Sequence, residues 1–249
     1  LARYGEREFE AELRDLFAEA LEQARHRPQS YRREPDLLLP EPVDTRPVVD
    51  DFAWNKTATG STALAVFLWW LVVALLGLLA WPLAYVVFPG LADRGHAMSR
   101  ALALLVIGYL VWLPASLRWW RNTLPAILGA TAALGLLSLF LFLRHRREML
   151  AFWQKQWPLL LLSEGVFAAA YLLMVGIRIL NPDLWHPWLG GEKFMDLAYL
   201  NAVLRSPYFP PHDPFFAHGY LNYYYYGQFL MSLPVKPVSY THLTLPTKA

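Results

Sequence analysis

Four long apolar runs, at 62–88, 97–117, 124–143 and 157–180, decide what this 249-residue chain can fold into. Each is close to the ~20 residues that cross the hydrocarbon core of a bilayer. No water is available there, so every backbone N–H and C=O must be satisfied within its own segment, and the runs are expected as helices. Pro82, Pro114 and Pro125 fall near the ends of runs, where the missing N–H costs least. Trp69, Trp70, Trp81, Trp112, Trp119, Trp120, Trp153 and Trp157 lie mostly near the same ends, where amphipathic rings favour the membrane–water interface. The expected fold class is therefore all-α: a polytopic transmembrane helical protein with about four spans and the start of a fifth at 221–237.

The flanks divide the rest. From Glu6 to His26 the residues Phe9, Leu13, Leu16, Phe17, Ala20, Leu21 and Ala24 recur at helical spacing among Glu and Arg, predicting a water-facing amphipathic helix. Pro28, Pro35, Pro40, Pro42 and Pro47 then impose an extended linker. Residues 1–57 are thus expected as helix plus linker, suited to the tail of an upstream module, and 58–237 as the membrane domain. Val238 to Thr247 reads VSYTHLTLPT, the translation of one frame of a transposase sequencing adapter, so 238–249 are expected to be adapter read-through.

Sidedness follows from Lys and Arg near span ends. Arg94 and Arg100 flank the first inter-span loop, and Arg144, Arg146, Arg147 and Lys155 fill the third. With those loops cytoplasmic, the loop carrying Arg118 and Arg121, the N-terminal segment and the loop at 181–220 are extracytoplasmic. The formal net charge of +2 leaves no electrostatic footprint for nucleic acid, and the bilayer is the expected partner. The absence of cysteine removes disulfides, thiolate metal sites and cysteine nucleophiles together.

Chemistry must therefore sit in the polar, aromatic-rich stretch after Leu180. There Glu192 and Asp196 are four apart on a predicted helix, so both carboxylates share one face near its N-terminus. An acidic first turn that complements the helix dipole explains them structurally; a pair that binds a divalent cation or acts as base and orienting group explains them chemically. Lys193 suits a phosphate contact or a solvated position. His186, His212 and His218 are dispersed among prolines and glycines without metal-ligand spacing, and Gly190-Gly191 reads as a turn. The run Asn222-Tyr223-Tyr224-Tyr225-Tyr226 suits an interfacial aromatic belt or a stacking surface for a sugar or headgroup.

The segments DLWHPWLGGEKFMDLAYLNAVLRS and YFPPHDPFFAHGYLNYYYYG, and more loosely the spans before them, resemble a family of very hydrophobic bacterial and archaeal membrane proteins named for a YYY motif. The likeness covers roughly Gly60 to Met231, departing where Phe194 replaces an expected proline, His218 a glycine and Tyr226 a phenylalanine. The layout is similar to that of C-type glycosyltransferases, multi-span enzymes that use polyprenyl-phosphate sugars and carry an acidic pair in an early extracytoplasmic loop. That resemblance implies a plasma-membrane glycosyltransferase of a prokaryote, with Glu192 and Asp196 catalytic. It also implies His186, Lys193, Asp213, Asn222, Tyr223, Tyr224 and Tyr225 as contacts to a polyprenyl-phosphate-linked sugar or its acceptor. Two rivals stand beside it. A non-catalytic scaffold or assembly protein uses the acidic turn and aromatic belt structurally, and a transporter needs charge inside a span, for which Glu164 is the candidate.

Overall fold

The computed structural model describes residues 14–15, 17–18, 38–40, 42, 45–51, 61–181, 193–216 and 218–238. Two compact units are present, Leu1–Leu38 and Leu39–Ala249. In the first, residues 14, 15, 17 and 18 are helical, within the predicted amphipathic helix, and Phe17 is exposed.

The second unit contains five helices among the described residues: α1 (Thr62–Val87), α2 (Ser99–Ser116), α3 (Leu124–Leu180), α4 (Lys193–Arg205) and α5 (Tyr226–Val238). No strand accompanies them there, though an isolated antiparallel bridge joins His212 and Tyr220. The all-α expectation holds, and α1, α2 and α3 are each long and apolar enough to cross a membrane.

Local chemistry sets the first hairpin. Ser61 caps α1 by accepting a hydrogen bond from the Leu64 N–H through Oγ at 3.4 Å. After Phe88 the Asp93 carboxylate accepts from the N–H groups of Gly95 (3.0 Å) and Ala97 (2.8 Å), closing a turn that leads into α2. Gly95 is required there: its φ is 75°, and a Cβ would stand 2.6 Å from the Phe88 ring.

The sequence predicts a loop between runs 124–143 and 157–180, but α3 is helical without interruption for 57 residues. The stretch Arg144 to Gln156 is rich in strong helix formers and has no glycine or proline, so its polarity sets where the chain meets water without ending the helix. Yet α3 is not straight. Gly135 lies against the Leu79 side chain on α1, and the Tyr171 hydroxyl donates to the Val66 carbonyl at 2.8 Å. A straight helix would separate Gly135 from Tyr171 by about 54 Å, whereas Val66 and Leu79 are only about 20 Å apart along α1. The reach of two side chains does not cover the difference, so α3 doubles back. Phe152 already meets Trp81 and Tyr85 near the end of α1, so the reversal falls between Gly135 and Phe152, ahead of Pro158.

The doubling-back has the effect expected of a loop. It brings Phe152 to Tyr85 and Trp81, with ring centroids 5.5 and 6.5 Å apart, beside the basic α1–α2 turn. The 117–123 loop joins the polar 206–220 stretch at the opposite end: the Asn122 N–H donates to the Pro207 carbonyl at 2.8 Å, and Arg118 Nη2 to the Tyr220 hydroxyl at 3.2 Å.

Between the ends Ala103, Ile107, Val111 and Ala115 of α2 pack with Ala80 of α1, with Ile127, Ala130 and Leu134 of α3, and with Phe229 and Leu233 of α5. Close approach rather than expulsion of water holds helices together in lipid, and small residues permit it. A Cβ on Gly108 would stand 2.6 Å from Leu230, so this glycine lets α5 close on α2. At 13 residues α5 is a short helix beginning at Tyr226, inside the region expected to open a further span.

Candidate functional site

The polar end of the second unit is built on α4, which follows α3 after the stretch 182–192. Its face Leu197 and Leu204 packs with Val235 of α5, and Val203 enters the main core. This leaves Asp196, four residues into the helix, on the surface beside the start of α5.

Asp196 lines an open cleft of about 430 Å³ together with Lys193, Arg178, Gln228 and the apolar side chains of Leu197, Leu200 and Met231. Gln228 Nε2 donates to Asp196 Oδ1 at 3.1 Å. Arg178 Nη1 and Lys193 Nζ both donate to the Asn181 carbonyl, at 3.2 and 3.3 Å, where α3 ends. Among the described residues one carboxylate thus shares a half-apolar cleft with two cations drawn from different helices. Such a cleft can hold an anionic group on the cations, accept a proton at Asp196 and shelter an aliphatic chain.

The other residues expected at the site are dispersed. Glu192 and His186 lie outside the described residues. Asp213 is occupied as a turn cap, its Oδ1 accepting from the N–H groups of Phe215 (2.8 Å) and Phe216 (3.2 Å). Asn222 is exposed. The tyrosine run divides in two because α5 starts within it. Tyr223 and Tyr224 face outward, Tyr223 against Tyr199 with centroids 5.5 Å apart, while Tyr224 is 86% exposed. Tyr225 stacks on Phe209 at 5.7 Å and 11° and accepts from Trp112 Nε1 at 3.1 Å; Tyr226 meets the edge of Trp112. The first two residues are therefore exposed and the last two are built into the core. None of the four lines the Asp196 cleft. Among the described residues no three His, Cys, Asp or Glu side chains gather as a metal site.

Two buried charge clusters complete the picture. The fully buried Lys236 ammonium donates to Asp51 Oδ1 at 2.9 Å and to the Asn122 carbonyl at 2.6 Å. The other Asp51 oxygen accepts from the Leu124 N–H at the N-terminus of α3, where a helix favours an anion. Asn122 Nδ2 in turn donates to the carbonyls of Val203 and Ser206. This knot joins the segment before α1, the 117–123 loop, α4 and α5. Sequence reasoning missed it, since Asp51 and Lys236 are 185 residues apart. At the opposite end Glu164 accepts from Arg100 Nη2, and its other oxygen is 3.4 Å from His96 Nε2. The Arg100 guanidinium also lies over the Phe167 ring, 4.0 Å from its centroid. Burial holds His96, in the turn before α2, below the usual histidine range, and Arg100 adds to this against the raising effect of Glu164 and Asp93. The Glu164 carboxylate is thus paired with the Arg100 guanidinium.

No curated protein and no solved structure matches the chain. A family model matches residues 106–241, more than half of the 249, and includes Arg178, Lys193, Asp196 and Gln228. With several apolar helices, a polar end built on α4 and this match, the chain belongs to the uncharacterized membrane protein family DUF2298, as a multi-pass membrane protein.

Proposed function

We propose that the protein transfers a sugar from a polyprenyl-phosphate donor to an acceptor hydroxyl at the extracytoplasmic face of the plasma membrane. The observation that carries this reading is the cleft in which Asp196 stands beside Lys193 and Arg178 above an apolar wall. Lys193 and Arg178 hold the donor phosphate, and Leu197, Leu200 and Met231 receive the start of its hydrocarbon chain. The acceptor oxygen attacks the anomeric carbon as its proton passes to a carboxylate. The anomeric C–O bond to phosphate breaks, and the leaving phosphate keeps the electron pair between the two cations. Asp196 and Glu192 serve as the acidic pair, one as base and the other orienting the acceptor. Tyr223, Tyr224 and Asn222 supply outward contacts to the sugars.

A divalent cation belongs to the proposal as an optional ligand of the acidic pair. With no three-ligand protein cluster among the described residues, it would draw on Asp196, Glu192 and the donor phosphate oxygens. Chelation then abolishes transfer, and transfer that survives chelation removes the metal.

The test uses the full-length protein in membranes supplied with radiolabelled polyprenyl-phosphate sugars. Label transferred by the native protein and lost in both Glu192→Gln and Asp196→Asn, at equal expression, is the expected result. Transfer or a growth phenotype that persists in both variants overturns catalysis by this pair and favours a scaffold. Transport draws less support, because Glu164 is tied to Arg100 and His96.

A further inference from the structure

α4 separates two cavities. Its Lys193, Asp196, Leu197 and Leu200 side borders the cleft described above, while its Ala198, Asn201, Ala202 and Arg205 side borders a second cavity of about 470 Å³. The second is closed by Arg46–Val48 from the segment before α1 and by the stretch from Ser206 to Pro214, and its polar lining is Arg46, Asn201, Arg205, Ser206, Tyr208 and His212.

The electrostatics of this cavity are lopsided. Among the described residues two guanidinium groups line it and no acidic side chain does. The carboxylate that acts on His212, Asp213, is engaged by two backbone N–H groups of its own turn. The Arg46 guanidinium is stacked over Tyr220, 5.0 Å from the ring centroid, and Nη2 reaches the Tyr220 hydroxyl at 3.5 Å. Its Nη1 is buried and has no hydrogen-bond partner. A buried guanidinium N–H without an acceptor is costly, and a bound anion or ordered water would relieve that cost. Burial, reinforced by Arg46 and Arg205 and opposed by Asp213, holds His212 below the usual histidine range, in keeping with the two guanidinium groups beside it.

We propose that this cavity binds an oxyanion, phosphate or carboxylate, carried on a small polar molecule of about sugar size, with Arg46 and Arg205 as its two anchors. Guanidinium forks match both anions in plane and charge. Asn201, Ser206 and Tyr208 offer donors and acceptors for hydroxyls on the same molecule. The site is separate from the Asp196 cleft and does not depend on the proposed transfer reaction.

Calorimetric titration of the full-length protein in non-ionic detergent, at constant ionic strength, tests it with three probes: inorganic phosphate, glucuronate and methyl glucoside. Saturable binding of phosphate, of glucuronate or of both is expected, and the pattern identifies the oxyanion. Arg46→Gln and Arg205→Gln each weaken that binding about tenfold or more, the range for losing a charge-assisted hydrogen bond. Arg146→Gln, which removes an exposed charge on the basic stretch of α3, leaves it unchanged. Arg205 is exposed, so its variant keeps the fold even if Arg46→Gln does not. Absence of saturable oxyanion binding overturns the proposal. So does equal binding of methyl glucoside, or binding that a folded Arg205→Gln protein retains in full.

Discussion

Asp51 and Asp196 are both aspartates near the polar end of the helices, yet they occupy opposite situations. Asp51 faces a fully buried ammonium and the N-terminus of α3, with each carboxylate oxygen engaged. Asp196 is exposed in an open cleft, with one oxygen held by a glutamine amide and two cations nearby. A charge whose partners are all supplied by the protein holds segments together; a charge left facing an open cleft is available to a ligand. The difference assigns architecture to the Lys236 knot and leaves the Asp196 cleft as the place for the proposed chemistry.

The largest effect on stability is expected where the knot is cut. Lys236→Met leaves Asp51 without its charge partner and should cost about 3 kcal/mol in unfolding measurements in detergent micelles. Adding Asp51→Asn should recover much of that loss, because the uncompensated carboxylate is then gone. A loss below about 1 kcal/mol in the single variant would show that the knot is not a clasp, and the contrast with Asp196 would fail.

A smaller loss is expected at the opposite end. Glu164→Gln removes the charge partner of a largely buried Arg100 guanidinium, but the glutamine carbonyl can still accept from Nη2, so about 1 kcal/mol is expected by the same assay. A proton- or ion-coupled transport activity abolished by this substitution would instead restore the transporter reading.

Asp196→Asn should change stability by no more than about 0.5 kcal/mol while removing sugar transfer, since it deletes no buried pair. A drop comparable with that of Lys236→Met would place Asp196 among the structural charges and sharpen the comparison against the proposed chemistry.

The smallest effect is a pH slope. His212 is held below its ordinary value of 6.5 by burial and by Arg46 and Arg205, against Asp213. On acidification the unfolded chain takes up its proton first, so stability falls as pH drops below about 6.5 and is unaffected by this group above it. His212→Asn should flatten that part of the stability–pH curve; an unchanged slope would mean that His212 is not held neutral by its surroundings.

Much of this was legible in the chain. Apolar length alone predicts helices at 62–88, 97–117 and 124–143, since hydrocarbon leaves a backbone no other way to satisfy its polar groups. The helix carrying Asp196 was readable from its spacing, as was the pairing of the Arg94 and Arg144–Lys155 stretches at one end of the molecule, opposite Arg118. The tertiary structure decided the remainder. Local propensity keeps α3 helical through its charged middle, but its doubling back depends on packing against α1, which propensity does not contain. The division of the tyrosine run depends on where α5 begins and on the presence of Phe209 and Trp112 beneath it. The partnership of Asp51 with Lys236, and of Arg46 with Arg205 around one cavity, joins residues far apart in sequence. A single sequence carries pattern over the length of a helix, but which distant charges meet is settled only when the helices pack.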